Sequence, residues 1–327
     1  MAKPKKKVAK AKGAAKTDKV KNSLVKCEVK LESGEWISPE SCKTFYIDED
    51  ANFPDITYEI KTDEPGPYEW SWQVKWTGMA CPQAEGKRRY KTGKENTYAK
   101  NGKFQSNEKK WKADLHGVLG GDLTVKVKAG NTTFVRKTFI RGKSPSKEKI
   151  LTELDVFTNK EDVTLAKKIF QQESRFRQFY SDEAPLTSFD NGYGLGQLTN
   201  PKPDYEQVWN WKAHIKDMLE TRIRVARRRA KAYLDKHPGY SQEIYDLETL
   251  AAYNGIPQNQ RYHNWDEENK VWVINENVIC DPSQSNKGWN LEKEIHKGKS
   301  LQDLKKDKGA KPFYTGRCYA EHVKNNQ

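Results

Sequence analysis

The spacing of apolar residues changes once along this chain, near residue 145, and no other feature constrains the fold as strongly. From Val25 to Ile140, short runs such as YEWSWQVKW and LTVKVKA alternate apolar and polar residues and are rich in β-branched and aromatic types. This period-two pattern predicts half-buried β-strands. From Lys147 onwards, apolar residues recur every three or four positions, which predicts helices. The sequence therefore predicts an α+β multidomain protein, with an all-β module followed by a mainly α domain.

Charged and turn residues set the predicted boundaries. Residues 1–26 contain ten Lys and one Asp, and residues 1–24 are predicted to form a disordered Lys-rich tail. Residues 25–143 have the length and strand spacing of an immunoglobulin-like β-sandwich, and the stretch RGKSPSKEK links them to residues 144–327. The chain has 10 Trp, 15 Tyr and 11 Phe, so both parts can bury a core.

Three tryptophans of the β module, Trp70, Trp72 and Trp76, are spaced evenly and therefore share one face of a strand. Aromatic rings on one face can form a platform on which sugar rings stack. They can equally be the large inward residues that the central strand of a sandwich needs, and we favour this core interpretation.

The helical half shows start and stop signals. Apolar positions between Lys147 and Gln172 predict one or two helices with a break near Thr158. Asp204 is a candidate N-cap for a long helical run, one face of which carries several arginines. We expect that face to be solvated, and nucleic-acid binding is disfavoured. The arginines are Arg222, Arg224, Arg227, Arg228 and Arg229.

The five cysteines fit no zinc spacing. A Cys280–Cys318 bridge and one pair among Cys27, Cys42 and Cys81 would suit an oxidising destination, whereas buried free thiols explain the same count. The six histidines show no ligand-like spacing, so no metal or other cofactor is predicted.

Three short segments of the helical half carry the candidate chemistry. They are Gln172–Phe176 (QESRF), Gly192–Thr199 (GYGLGQLT) and Ala251–Gly255 (AAYNG). Each is weak alone, but their order and spacing are specific, with 24 positions from Glu173 to Gln197 and 56 from Gln197 to Tyr253.

This combination resembles the catalytic domain of soluble lytic transglycosylases and goose-type lysozymes, over residues 147–327. Residues 319–323 (YAEHV) look like the closing helix of such domains. The resemblance implies a lysozyme-like α fold for residues 144–327. It also implies cleavage of the β-1,4 bond between N-acetylmuramic acid and N-acetylglucosamine in the glycan strands of peptidoglycan.

The chemistry of the bond supports a catalytic role for Glu173. A glycosidic oxygen leaves readily only when protonated, and the apolar side chains Phe170 and Phe176 can raise the pKa of Glu173 so that it keeps its proton. The resemblance implies that Glu173 acts as general acid and then as base, and that Tyr253 places its hydroxyl near the Glu173 carboxyl. The substrate-binding residues implied by the resemblance are Ser174, Gln197, Tyr253 and Asn254.

The role of Asp190 decides which product the enzyme would form. Lytic transglycosylases work without a second carboxylate, because a hydroxyl of the substrate attacks and leaves a 1,6-anhydro end. If Asp190 positions a water molecule instead, the enzyme is a hydrolytic muramidase. Asp182 and Glu183 are further candidates for that role. We favour the transglycosylase.

Two departures from the family pattern affect the cleft. Gly196 stands where the family has Met, which removes a side chain from the cleft wall. The stretch from Arg261 to Asn290 is an addition that we interpret as a lid or a surface insertion.

Delivery and partners are further expectations. No apolar run approaches the ~18 residues of a membrane span, and the basic start lacks the apolar core of a signal peptide. We therefore expect a protein made in the cytoplasm that acts in the periplasm or cell wall after delivery by a secretion apparatus or a phage tail. An antibacterial effector of this kind would have a cognate immunity protein, and its β module would be an adaptor or wall-binding unit. The competing class is a non-enzymatic module that binds polyanions or the wall through its Lys tail and Arg-rich helix.

Overall fold

A computed structural model of the chain describes residues 33–78, 96–181, 183–188, 190–255, 261–284 and 286–325. The predicted Lys-rich tail, residues 1–24, lies outside these ranges, as do Cys27, Cys81 and Asp182. Within the described ranges, every helix is too short or too polar to cross a lipid bilayer.

The first part of the chain forms two sheets. The larger has the strand order β2-β8-β7-β4-β5, in which β2 and β8 run parallel and the other neighbours are antiparallel. The smaller has the order β1-β3-β6. The strands are β1 Trp36–Ser38, β2 Thr44–Ile47, β3 Thr57–Ile60, β4 Tyr68–Gly78, β5 Asn96–Ser106, β6 Lys110–Lys112, β7 Gly121–Ala129 and β8 Thr132–Gly142.

The inner faces of the two sheets share one hydrophobic cluster. Trp70 and Trp72 of β4 are buried within it, with 1% and 5% of their surface exposed, and Trp76 is partly buried at its edge. The core interpretation of these tryptophans is therefore confirmed, and they form no open platform for sugars. The hydroxyl of Tyr58 on β3 is hydrogen-bonded to Thr138 on β8, which ties the sheets together.

Helices dominate the middle of the chain. They are α1 Lys147–Asp155, α2 Lys160–Glu173, α3 Tyr205–Trp209, α4 Trp211–Asp217, a π-helical turn Met218–Ile223, α5 Arg224–Leu234, α6 Gln242–Tyr253, α7 Leu301–Lys306 and α8 Gly316–Asn325. The predicted break near Thr158 is confirmed, and Asn159 caps α2 there. Asp204 is also confirmed as an N-cap, because its side chain and that of Gln207 form a reciprocal capping box.

The prediction of a mainly α, lysozyme-like second domain is wrong. Over the described residues the structure is mixed α/β, with about 30% helix and 29% strand in several sheets. The stretch predicted to be a lid or insertion forms strands, and so does the chain beyond it. These strands are β9 His263–Asp266, β10 Val271–Ile274, β11 Val278–Cys280, β12 Lys287–Asn290 and β13 Phe313–Tyr314.

These late strands are two to four residues long, too short to show a period in the sequence. They depend instead on long-range contacts. The Cys280–Cys318 disulfide joins β11 to α8, and Trp289 of β12 packs with Leu304 and Ala310. A bridge of this kind favours the ordered state by restricting the unfolded chain.

The arginine-rich helix face is only partly solvated, contrary to expectation. Arg227 is buried and pairs with Asp162 of α2 and Asp246 of α6, so it links three helices. Arg222 is also buried, and its Nε lies 2.7 Å from a carboxylate oxygen of Asp217. A buried pair is costly to break, because the remaining charge then lacks a partner. Both side chains therefore have structural partners and are not available to bind a polyanion.

The two parts of the chain are packed together. Tyr193 and Trp209, from the second part, belong to the same hydrophobic cluster as the inner faces of the first two sheets. Their ring centroids lie 5.9 and 5.6 Å from that of Trp76. Gly120 permits this approach, because a Cβ atom at that position would lie only 2.1 Å from the Trp209 ring.

Candidate active site

Glu173 is the last residue of α2, where the helix is forced to end. Arg175 and Phe176 follow with φ angles of +54° and +60°, a left-handed conformation that costs energy in residues other than glycine. The N–H groups of Ser174 and Phe176 both donate to the carbonyl of Phe170. The chain therefore turns sharply just after Glu173 and leaves its carboxyl at a cavity.

The cavity has a volume of about 530 Å³ and brings together most of the predicted site residues. Glu173, Asp190, Gln197, Tyr253 and Asn254 all line it. Its other walls come from residues 196–201, from one face of the π-helical turn and α5, and from the late sheet, which consists of β11, β12 and β13. The lining residues on these walls are Gly196, Leu198, Thr199, Asn200, Pro201, Thr221, Arg222, Val225, Ala226, Arg229, Asn286 and Tyr314.

Ser174 is not part of this cavity. It has 3% of its surface exposed, and its hydroxyl donates to the carbonyl of Phe170 while accepting from the N–H of Arg177. The structure thus gives Ser174 a role in shaping the end of α2, rather than the contact with sugar substituents that the resemblance implies.

The carboxyl of Glu173 is positioned to keep its proton. Burial raises the pKa of Glu173 to about 7, because the surrounding protein disfavours the charged form, while the Tyr319 hydroxyl lowers it and the negative charge of Asp190 raises it further. Tyr319 lies fully buried on α8, and its hydroxyl has no hydrogen bond of ordinary geometry within the described residues. It is nonetheless close enough to the Glu173 carboxyl to favour the carboxylate.

We expect the change Tyr319→Phe to raise the pKa of Glu173 above 7, because the carboxylate loses the hydroxyl that favours its charged form. The measurement is an NMR titration of the Glu173 side-chain carbon. Tyr262→Phe is the matched control, since that buried phenol donates to Glu321 instead. A titration midpoint that is the same in both variants and the wild type would show that Tyr319 does not act on Glu173.

Side chains behind the glycine-rich segment fix its shape. The buried amide of Gln178 accepts from the N–H of Leu195 and donates to the carbonyl of Val208. Gln197 has a φ of +49°, and its Nε2 donates to the carbonyl of Gly194 at 2.8 Å. Gln197 is therefore held by its own loop while one side lines the cavity.

The peptide groups of Gly196 are held from both sides. Its N–H donates to Nε2 of His214 at 3.0 Å, and its carbonyl accepts from the Tyr253 hydroxyl. Burial lowers the pKa of His214 to about 4, so the ring is neutral, and its Nδ1–H donates to the carbonyl of Gln207. The Tyr253 hydroxyl thus positions the loop. Tyr253 also lies close enough to Glu173 for the negative charge of the Glu173 carboxylate to raise the pKa of Tyr253.

Met218 compensates for the missing side chain at position 196. A Cβ atom on Gly196 would lie 3.1 Å from the sulfur of Met218 and 3.3 Å from the hydroxyl of Tyr253. Met218 belongs to the π-helical turn and is fully buried. A thioether from a neighbouring helix therefore fills the space into which a side chain at position 196 would project.

The acidic residues that were candidates for positioning a water molecule differ in where they lie. Asp190 is exposed at the cavity and is held by the Ser188 hydroxyl. Glu183 is not among the lining residues and hydrogen-bonds to Tyr46 of β2 instead. Asp182 lies outside the described residues. Asp190 is thus the candidate that shares the cavity with Glu173.

Sequence reasoning missed Gln178, His214, Met218 and Tyr319. Only Tyr319 lay in a segment that the resemblance marked, as part of the closing helix. A lone buried His or Met at helical spacing carries no signal beyond that of a core residue.

The arrangement combines a carboxyl whose pKa is raised to about 7, a second carboxyl and amide groups around a space large enough for sugar rings, which suits acid-assisted cleavage of a glycoside. Within the described ranges, no group of three or more His, Cys, Asp or Glu side chains is arranged to hold a metal ion. Comparisons of the chain with protein-family models, curated proteins and solved structures found no match.

Proposed function

We propose that this protein is a lytic transglycosylase that cleaves the β-1,4 bond between N-acetylmuramic acid and N-acetylglucosamine in peptidoglycan glycan strands. The observation that carries the proposal is the Glu173 carboxyl, which lines a 530 Å³ cavity with its pKa raised to about 7. A general acid works best when its pKa is close to the working pH.

Glu173 has two tasks in the proposed reaction. It first donates its proton to the glycosidic oxygen as the bond to the muramyl C1 breaks, and the N-acetyl group of the muramyl residue stabilises the positive charge that develops there. The carboxylate then accepts the proton of the muramyl 6-hydroxyl, whose oxygen bonds to C1 and gives the 1,6-anhydro end. Glu173 thus regains in the second step the proton that it donates in the first, and a pKa near 7 suits both steps.

A hydrolytic muramidase is the second candidate, and one observation favours it. Asp190 lines the same cavity as Glu173, is exposed to solvent, and is held in place by Ser188. A carboxylate in that position can orient a water molecule toward C1.

Digestion of purified peptidoglycan, with mass spectrometry of the released fragments, tests the proposal. We expect anhydro-muramyl ends from the wild type and from Asp190→Asn, with a rate change of less than about tenfold in the variant because Asp190 acts only through the pKa of Glu173. Glu183→Gln is the matched control, since its carboxyl contacts Tyr46.

The other outcomes are equally specific. Reducing ends that are lost in Asp190→Asn would make the protein a muramidase. No fragments from walls of several chemotypes would overturn both proposals and leave the binding module.

A further inference from the structure

Arg229 is a cation at the cavity without a protein partner. It is exposed, it lines the cavity, and within the described residues it makes no hydrogen bond or ion pair. Arg222, seven residues earlier on the same helical run, is buried against Asp217 and donates to the carbonyl of Pro201. Seven residues make about two turns, so the two side chains share a face and lie about 10 Å apart along the axis.

The late sheet supplies polar groups to the same cavity. Asn286 directly precedes β12, and Tyr314 ends β13. The side-chain amide of Asn286 has no hydrogen-bond partner within the described residues, and the Nζ of Lys287 lies 5.1 Å from the ring centroid of Tyr314. This wall therefore adds an amide donor to the cavity, whereas Lys287 is not among the lining residues.

The charges along the cavity differ in sign. Asp190, just before the glycine-rich segment, is acidic, whereas Arg229 on α5 is a cation. An unpaired guanidinium that lines the same cavity as an amide donor is suited to a planar carboxylate, because the guanidinium presents N–H groups in a fixed fork.

We propose that Arg229, together with Asn286, binds a carboxylate of the substrate and so selects muramyl-containing strands over uncharged glycans. This inference rests on the proposed function. The carboxylate has two sources in peptidoglycan, the lactyl group of a muramyl residue without its peptide and the acidic groups of a stem peptide. Chitin oligosaccharides have the same β-1,4 linkage and N-acetyl groups but no carboxylate.

The test compares Arg229→Gln with Arg228→Gln, a neighbouring exposed arginine that does not line the cavity. Binding is measured by calorimetry in the Glu173→Gln background, so it does not depend on cleavage. The probes are peptide-bearing glycan strands, strands stripped of peptide by an amidase, and chitin oligosaccharides of the same length. We expect Arg229→Gln to weaken binding of the anionic strands about tenfold. Chitin binding should be unchanged, and Arg228→Gln should match the parent.

The pattern of losses identifies the source of the carboxylate. A loss only with the stripped strands assigns the subsite to the lactyl carboxylate, which is tied up as an amide in peptide-bearing strands. A loss only with peptide-bearing strands assigns it to the stem peptide, and a loss with both means that the subsite accepts either carboxylate. Equal losses with chitin and peptidoglycan, or equal losses in the two arginine variants, would overturn the inference. If the wild-type protein binds these strands but cleaves none, the proposed function fails while the carboxylate subsite is still decided by these binding constants.

Discussion

Replacing Glu173 by Gln is expected to lower the rate of peptidoglycan cleavage by about 10²–10⁴-fold while strand binding is retained. The amide has the same shape as the protonated carboxyl but can neither give a proton to the glycosidic oxygen nor remove one from the 6-hydroxyl. The measurement is the initial rate of muropeptide release. Glu220→Gln is the matched control, because Glu220 is an exposed glutamate of the π-helical turn that does not line the cavity.

The same variant should become more stable than the wild type above pH 7. The pKa of Glu173 is about 7 in the folded protein and near its ordinary value of 4.5 when unfolded. The unfolded state therefore loses its proton first, and the free energy of unfolding falls as pH rises from about 4.5 through 7, by about 3 kcal/mol in total. Gln does not titrate, so this fall is absent from the variant.

Activity should follow the same ionisation. The first step needs protonated Glu173, so the rate should fall as pH rises through about 7. Denaturant unfolding of both proteins at pH 5 and pH 8 separates this effect from a general loss of structure. If Glu173→Gln cleaves normally, or if its stability falls with pH as in the wild type, Glu173 is not the buried acid.

Glu173 could be identified as a candidate acid from the sequence because it lies in a short local motif. Glu173, Gln197 and Tyr253 each lie in a short motif. The order and spacing of these three motifs can be recognised in the sequence without knowledge of the fold. Several strands between Val25 and Ile140 were also predictable, since period-two alternation reports burial directly. The strands β5 and β6 were not, because residues 84–112 are dense in Lys, Gly, Asn and Gln and were expected to form a loop or irregular hairpin.

The remainder depends on contacts between distant residues. The strands after residue 261 show no period because each is so short, and their positions are set by the Cys280–Cys318 bridge and by Trp289. The support of the site is equally non-local. His214 holds Gly196 from 18 residues away, and Tyr319 approaches Glu173 from near the end of the chain. The resemblance implied the wrong fold for its domain, because a short motif describes the residues of a site and not the sheets around it.

Producing residues 144–327 alone is expected to give a fragment without a stable fold. Four side chains of this part are buried in the cluster that the β module completes, namely Phe179, Tyr193, Val208 and Trp209. Exposing side chains of this size costs about 1.5–3 kcal/mol each, or roughly 6–12 kcal/mol for four. That is the size of the whole stability of a typical domain. The β module would then be structural support for the glycine-rich segment, whether or not it also binds the wall.

Two measurements decide this point. Circular dichroism and thermal unfolding of the fragment should show no cooperative transition where the full chain shows one. In the full chain, Gly120→Ala should lower the unfolding temperature strongly, because its Cβ would meet the Trp209 ring at 2.1 Å, whereas Lys126→Ala on the exposed face of β7 should leave it unchanged. A fragment that unfolds cooperatively and cleaves peptidoglycan at the wild-type rate would instead make residues 144–327 an autonomous catalytic domain, with Tyr193 held in place by contacts within that domain.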